Sequence, residues 1–237
     1  MSQLFEKKLE ELEIILTEKQ KQQFDQYYEL LVEWNKVMNL TGITEYEEVN
    51  ERHFIDSVSI VKAVDITGVD NLIDVGTGAG FPGLPLKIVF PHLKVTLLDS
   101  LNKRIKFLDE VISQLGLTDV ETIHGRAEDY AKQKDYREQF DLSVSRAVAN
   151  LSTLSEYCLP FVHVGGMFIP YKSGEIVEEL NQSKHAVNLL GAEIKEVVKF
   201  TLPGSDIGRS FIKIKKVKST AKKYPRKAGL PAKEPLS

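Results

Sequence analysis

Asn71-Leu72-Ile73-Asp74-Val75-Gly76-Thr77-Gly78-Ala79-Gly80-Phe81-Pro82-Gly83 carries a short apolar run into a turn with glycine at every second position. A short apolar run followed by glycines reads as a central parallel strand, covered on both faces. Gly76, Gly78 and Gly80 have no Cβ, so the chain can turn sharply and present backbone N–H groups at contact distance from a ligand. Pro82 suits the first turn of a following helix, where its missing N–H is no loss. Strand, glycine turn and helix in this order predict a nucleotide-like cofactor held at the turn of an α/β sheet.

Two cofactor classes compete for that turn. Gly78-Ala79-Gly80-Phe81-Pro82-Gly83 satisfies the dinucleotide fingerprint G-x-G-x-x-G. Counted from the first glycine after the strand, however, the pattern is D-x-G-x-G-x-G, beginning at Asp74. An acidic residue in that place resembles the first motif of S-adenosylmethionine methyltransferases, whose cofactor has no phosphate and carries a cationic methionine end. The motif favours the methyl donor and leaves the dinucleotide open. Downstream, Lys94-Val95-Thr96-Leu97-Leu98-Asp99 is a second strand ending in a carboxylate. Such a group at the carboxyl edge can accept both ribose hydroxyls; otherwise Asp99 is an ordinary acid before the helix at Asn102. A third strand, Val120–His124, leads into Gly125-Arg126-Ala127-Glu128-Asp129, where the adenine is expected.

Composition sets the frame. With 237 residues, 42% of them hydrophobic, the chain is long enough for one large domain with a sizeable core. Charges in Glu6, Lys7 and Lys8 occupy the place of a signal peptide's apolar centre. The longest uncharged run, Tyr157 to Tyr171, holds prolines and glycines and is too short to span a bilayer. Cys158 is the single cysteine, so no internal disulfide forms, and a cytoplasmic location is expected.

Charge is segregated. Lys213 to Lys233 contains nine basic and no acidic residues, leaving 22 basic against 34 acidic residues elsewhere, a net of −12. Such a tail suits phosphate contacts, with a solvated surface as the alternative. Tyr224-Pro225-Arg226-Lys227-Ala228-Gly229-Leu230-Pro231 mixes aromatic and turn residues and points to an ordered segment. Lys222, Lys223, Arg226 and Lys227 are the candidates for phosphate and base contacts, which makes them the expected nucleic-acid-binding residues.

Three parts follow. Residues 1–65 read as a helical extension: Thr17-Glu18-Lys19-Gln20 is a capping box before Phe24, Tyr27, Tyr28, Leu31 and Val32 at helical spacing, and Thr44-Glu45-Tyr46-Glu47 is a second box. Residues 66–217 alternate strands and amphipathic helices, predicting a mostly parallel, doubly wound, Rossmann-like α/β sheet. Phe140–Ser145 and Gly166–Ile169 are its fourth and fifth strands. Glu193–Leu202 and Ser210–Val217 form a closing antiparallel hairpin. Residues 218–237 are the basic tail.

From about Trp34 onward the chain resembles the bacterial 16S ribosomal RNA guanine-N7 methyltransferases, also called glucose-inhibited division protein B. The likeness rests on Asn39-Leu40-Thr41, Arg52-His53-Phe54-Ile55-Asp56-Ser57, the glycine turn with Phe81-Pro82-Gly83, Gly125-Arg126-Ala127-Glu128, Ser145-Arg146-Ala147-Val148 and Tyr224-Pro225-Arg226-Lys227, in that order. The resemblance implies a Rossmann-like methyltransferase fold and S-adenosylmethionine as cofactor, with contacts at Gly76, Gly78, Phe81, Asp99, Ala127, Glu128 and Arg146. It implies 16S ribosomal RNA, in the small subunit or an assembly intermediate, as substrate, with no membrane and no metal.

The chemistry fits that expectation. Guanine N7 is a lone pair without a proton, so methylating it needs alignment and no general base. Methylation of an exocyclic amine favours a D/N-P-P-Y-like loop after the fourth strand, where this chain has Ser145-Arg146-Ala147-Val148. Pyrimidine C5 methylation generally requires a cysteine nucleophile, and Cys158 lies in an apolar run that suits a buried thiol. Arg146 is expected to meet the cofactor carboxylate, the RNA or guanine O6, unless an ion pair consumes it. Lys172 is expected either to face a phosphate or to be solvated. His53 reads as a hydrogen-bonded structural histidine, since five scattered histidines do not make a metal site. A methyltransferase acting on a small molecule or protein, and a non-catalytic RNA-binding assembly factor, are the alternatives.

Overall fold

The structure, a computed structural model, describes residues 2–236. Seven strands make one sheet: β1 (Asn71–Val75), β2 (Lys94–Asp99), β3 (Val120–His124), β4 (Phe140–Arg146), β5 (Val162–Ser173), β6 (Ala192–Thr201) and β7 (Gly208–Lys216). Their order is β3-β2-β1-β4-β5-β7-β6. The first five run parallel to one another, and β7 pairs antiparallel with both β5 and β6. The expected doubly wound sheet and closing hairpin are therefore present, with β5 twelve residues long rather than four.

The helices are α1 (Gln3–Glu10), α2 (Glu18–Met38), α3 (Tyr46–Val49), α4 (Asp56–Val58), α5 (Gly83–Val89), α6 (Asn102–Leu115), α7 (Ala127–Tyr130), α8 (Leu151–Cys158), α9 (Val177–Leu189) and α10 (Leu230–Lys233). The box at Thr17 opens α2 as expected: the Thr17 hydroxyl accepts from the Gln20 N–H, and Gln20 Oε1 accepts from the Thr17 N–H at 2.8 Å. The second box does not form. Glu45, not Thr44, precedes α3, and no side chain caps it. The backbone runs on from α3 as a wide helical turn, Asn50–Ile55, directly into α4.

Side chains alternate across β1, so the sheet has two apolar faces. Leu72 joins a core shared with Phe5, Phe24, Tyr27 and Phe54 of the N-terminal helices, whereas Ile73 and Val75 join Leu151, Leu154, Cys158 and Val187 from α8 and α9. Residues 2–65 thus cover one sheet face from within a common core.

Strand order reverses between β1 and β4, and in open α/β sheets the crevice at such a switch point, beyond the carboxyl ends, receives ligands. The glycine turn leaves β1 there, and Arg146 ends β4 beside it.

Candidate functional site

Asp74 is fully buried, and its Oδ2 accepts from Thr77 Oγ1 at 2.7 Å and from the Gly83 N–H at 2.8 Å. The acid before the glycines therefore fastens the turn to the start of α5. Burial raises its pKa to about 6. Pro82 sits just before α5 rather than inside its first turn.

A cavity of about 390 Å³ opens beyond the turn, walled by Gly76, Asp99, Ala127, Glu128 and Tyr157 among others. That volume lies in the range of small-molecule sites, roughly 300–1,000 Å³. Gly76 has φ +73°, and a Cβ there would come 2.6 Å from Val148 Cγ2, so glycine is required on both conformational and steric grounds. Asp99 Oδ1 accepts from the Leu101 N–H at 2.9 Å, and Oδ2 accepts from the Gly78 N–H at 2.9 Å and from Arg104 Nη1 at 3.2 Å. These bonds fix the carboxylate at the cavity edge. Apolar walls from Val75, Leu98 and Val148 beside two fixed carboxylates suit a nucleoside with ribose hydroxyls and an exocyclic amine.

A second cavity, about 420 Å³, is lined by Arg52, His53, Asp56, Arg146, Lys172 and Arg209 with neighbours. One loop separates the two: Arg146 and Ala147 line the second cavity, and Val148 and Ala149 line the first. Ala147 at the crossing has φ +57°, a left-handed conformation that costs a residue with a Cβ about 1–3 kcal/mol. Lys172 Nζ anchors the loop, donating to the Ala149 carbonyl at 2.9 Å and to Glu179 Oε1 at 2.6 Å.

Asp56 is buried between two arginines, accepting from Arg146 Nη1 at 2.8 Å and from Arg209 Nε at 2.7 Å. This trio holds one net positive charge against the cavity. Arg146 also lies over the Phe81 ring, 5.2 Å from its centre, while His53 stacks on the same ring at 4.6 Å. His53 Nε2 lies 2.8 Å from Thr41 Oγ1, and burial together with the Arg146 charge lowers its pKa to about 4. The imidazole is neutral near pH 7, the structural role expected of it.

The structure brings four of the expected cofactor residues, Gly76, Asp99, Ala127 and Glu128, to one cavity. Gly78 contributes its N–H to Asp99. Phe81 and Arg146 lie together, but Arg146 lines the second cavity and Phe81 is buried beneath it. Arg146 pairs with an acid, as one of its expected roles required. Lys172 lines the second cavity half-buried, and its ammonium is held by Glu179 and the Ala149 carbonyl, so it is not a freely solvated loop residue.

Within the tail, Lys222, Lys223 and Lys227 are exposed. Arg226 is a correction: its guanidinium is committed to Glu156, which is fully buried, with Nη2 2.7 Å from Oε2. Lys216 is likewise internal, bonded to Thr220 Oγ1 and to the Leu159 and Val162 carbonyls, and burial lowers its pKa to about 8. Cys158 is buried, with its thiol pKa pushed up by desolvation, which makes a nucleophilic role untenable. Glu156 and Arg209 escaped the sequence reading, and Asp56 and Gly229 entered it only as members of motifs, because each acquires its role from a partner 70 or more positions away. Among the described residues, no cluster of three or more His, Cys, Asp or Glu could hold a metal ion, and no helix is long and apolar enough to cross a membrane.

The model of the family described as rRNA small subunit methyltransferase G matches residues 20–207. A ribosomal RNA small subunit methyltransferase G of Lachnoclostridium phytofermentans is 55% identical over 228 residues, 96% of this chain and 94% of that protein. Its counterpart in Alkaliphilus metalliredigens is 52% identical over 227 residues, covering 96% and 95%. Among solved structures, a SAM dependent methyltransferase from Aquifex aeolicus shares the fold with TM-score 0.52 at 18% identity, over 72% of this chain and 93% of its own.

Proposed function

The chain belongs to the small-subunit ribosomal RNA methyltransferase G family, and from that membership we propose that it transfers a methyl group from S-adenosylmethionine to N7 of a guanine in 16S ribosomal RNA. The observation that carries the proposal is the pair of cavities meeting at the Arg146–Ala149 loop, one shaped for a nucleoside and one lined with cations. When bound, the cofactor supplies an electrophilic sulfonium methyl group, which the N7 lone pair takes as the carbon–sulfur bond breaks. No proton moves, so the site needs no base. The neutral His53, with its pKa near 4, is consistent with that requirement.

Within this reading Asp99 holds the ribose, and Gly76, Ala127 and Glu128 enclose the adenosine. Gly78 and Arg104 keep the Asp99 carboxylate in place. Arg146, held by Asp56, the Arg52 carbonyl, His53 and the Phe81 ring, lines the second cavity, where guanine O6 and nearby phosphates are suitable acceptors for its remaining donors. Alignment of N7 with the methyl carbon is then the main catalytic contribution. Residues 66–217 supply most of the cofactor site, Gly229 and Ala232 of the tail add to its wall, and residues 1–65 supply Arg52, His53 and Asp56 to the guanine side. In the same reading the tail lysines Lys222, Lys223 and Lys227, which are exposed, contact RNA phosphates, whether in free RNA or in a small-subunit particle in the cytoplasm.

Incubating the protein with S-adenosylmethionine labelled in the methyl group and 16S RNA lacking the modification tests the reading. Label is expected on one guanine N7. Label on an exocyclic amine, or on protein, would overturn the N7 assignment.

A further inference from the structure

We propose that the segment Tyr224–Lys233 is a clamp that completes the cofactor cavity, held in place by Arg226 and Glu156 acting as a positioning pair. The inference rests on the cofactor occupying the cavity beside Asp99. Gly229 and Ala232 form part of that cavity's wall, although they lie far from the glycine turn in sequence. The Gly229 N–H donates to Glu128 Oε1 at 2.9 Å, so the clamp fixes a carboxylate that faces the ligand. Gly229 has φ +82°, which lets the chain turn onto Glu128 as α10 begins.

The fastening is out of proportion to a solvated tail. Glu156 Oε1 accepts from the Arg226 backbone N–H at 2.7 Å and from Nε at 3.0 Å, and Oε2 accepts from Nε at 3.1 Å and Nη2 at 2.7 Å. Arg226 Nη2 also donates to the Glu234 carbonyl at 2.7 Å. A fully buried carboxylate with a fork-shaped partner loses heavily when that partner is removed. Upstream, Arg137 Nη1 donates to the Tyr224 carbonyl at 2.9 Å and Nη2 to the Thr220 carbonyl at 2.7 Å. Downstream, Thr153 Oγ1 donates to the Pro231 carbonyl at 3.0 Å. Thr153, Glu156 and the cavity residue Tyr157 all belong to α8, so one helix positions both the clamp and a wall of the site. Arg226 therefore serves the cofactor, and the exposed Lys222, Lys223 and Lys227 remain available to RNA.

Calorimetric titration of the full chain with S-adenosylmethionine, without RNA, tests this. Arg226→Ala should raise Kd tenfold or more, and Arg226→Lys should recover part of the loss. Ala232→Trp, which leaves the Arg226–Glu156 pair intact at an exposed position, should also change Kd by severalfold. Combined substitution of the exposed Lys19 and Lys36 of α2 by Ala should leave Kd unchanged. Saturating cofactor should slow tryptic cleavage after Lys227. Melting of each ligand-free variant confirms that it is folded at the titration temperature, where a purely structural role would leave Kd unaltered. Asp99→Ala is the reference: if it binds like the parent, the cavity assignment fails. If Asp99→Ala loses affinity while Arg226→Ala and Ala232→Trp bind like the parent, the clamp alone is overturned.

Discussion

His53 shows how a single side chain acquires properties that its sequence neighbours do not convey. Its ring lies flat on Phe81 with the Arg146 guanidinium alongside, and burial together with that charge lowers its pKa to about 4. In the unfolded chain the pKa is near 6.5, so above that value both states are neutral and the full stability is present. As the pH falls from 6.5 towards 4 the unfolded state takes up a proton that the folded state refuses, and stability is lost by up to about 3 kcal/mol. Denaturant melts at pH 7 and pH 5 should show a steeper loss for the parent than for His53→Gln. Parallel losses would mean that the folded imidazole titrates normally. Asp74 is the complementary case: its motif position was legible, but its task of bonding Thr77 and Gly83 depends on the turn closing over it.

Two helix starts that look alike in sequence separate at the level of the element. Thr17 and Gln20 bond reciprocally and Gln20 Nε2 also donates to the Ile88 carbonyl at 2.7 Å, so the cap ties α2 to the end of α5. Thr44 contributes only its carbonyl, which accepts from Tyr28 Oη at 3.0 Å, and its side chain caps nothing. Thr17→Ala should therefore cost about 1 kcal/mol in urea unfolding, and Thr44→Ala no more than a few tenths. Equal costs would contradict the capping assignment. Strands were legible wherever an apolar run met a glycine or a charged turn, which covers β1, β2, β3 and β4 to within a residue. β5 exceeded its apolar run because its far end, Tyr171 to Ser173, pairs with Phe211 to Arg209 of β7, a partner that local pattern does not reveal.

On the scale of the whole molecule, the N-terminal helices and the sheet share one core. Phe5, Phe24 and Phe54 pack with each other and with the face of the sheet that carries Leu72, Val95 and Leu142. Removing residues 1–65 would expose that face, and each large side chain left in water forfeits about 1.5–3 kcal/mol, so the shortened chain should not fold. Far-ultraviolet circular dichroism and a urea melt check this; a cooperative transition in a chain starting at residue 66 would show an independent methyltransferase domain. The basic tail teaches the same lesson through charge. Nine cations in a run look equivalent, yet Lys213 pairs with Glu196, Lys216 with Glu138 and Arg226 with Glu156, while Lys222, Lys223 and Lys227 stay exposed. By itself the sequence determined the α/β class, the glycine turn, the place of Asp99 at the end of β2 and the family, because strand periodicity, glycine conformation and motif order are local properties of the chain. Only the tertiary structure decided which charges serve the ligand sites and which are consumed within the protein, because a charge is neutralised by whatever folding places within about 3 Å of it, and those partners lie up to 153 positions away.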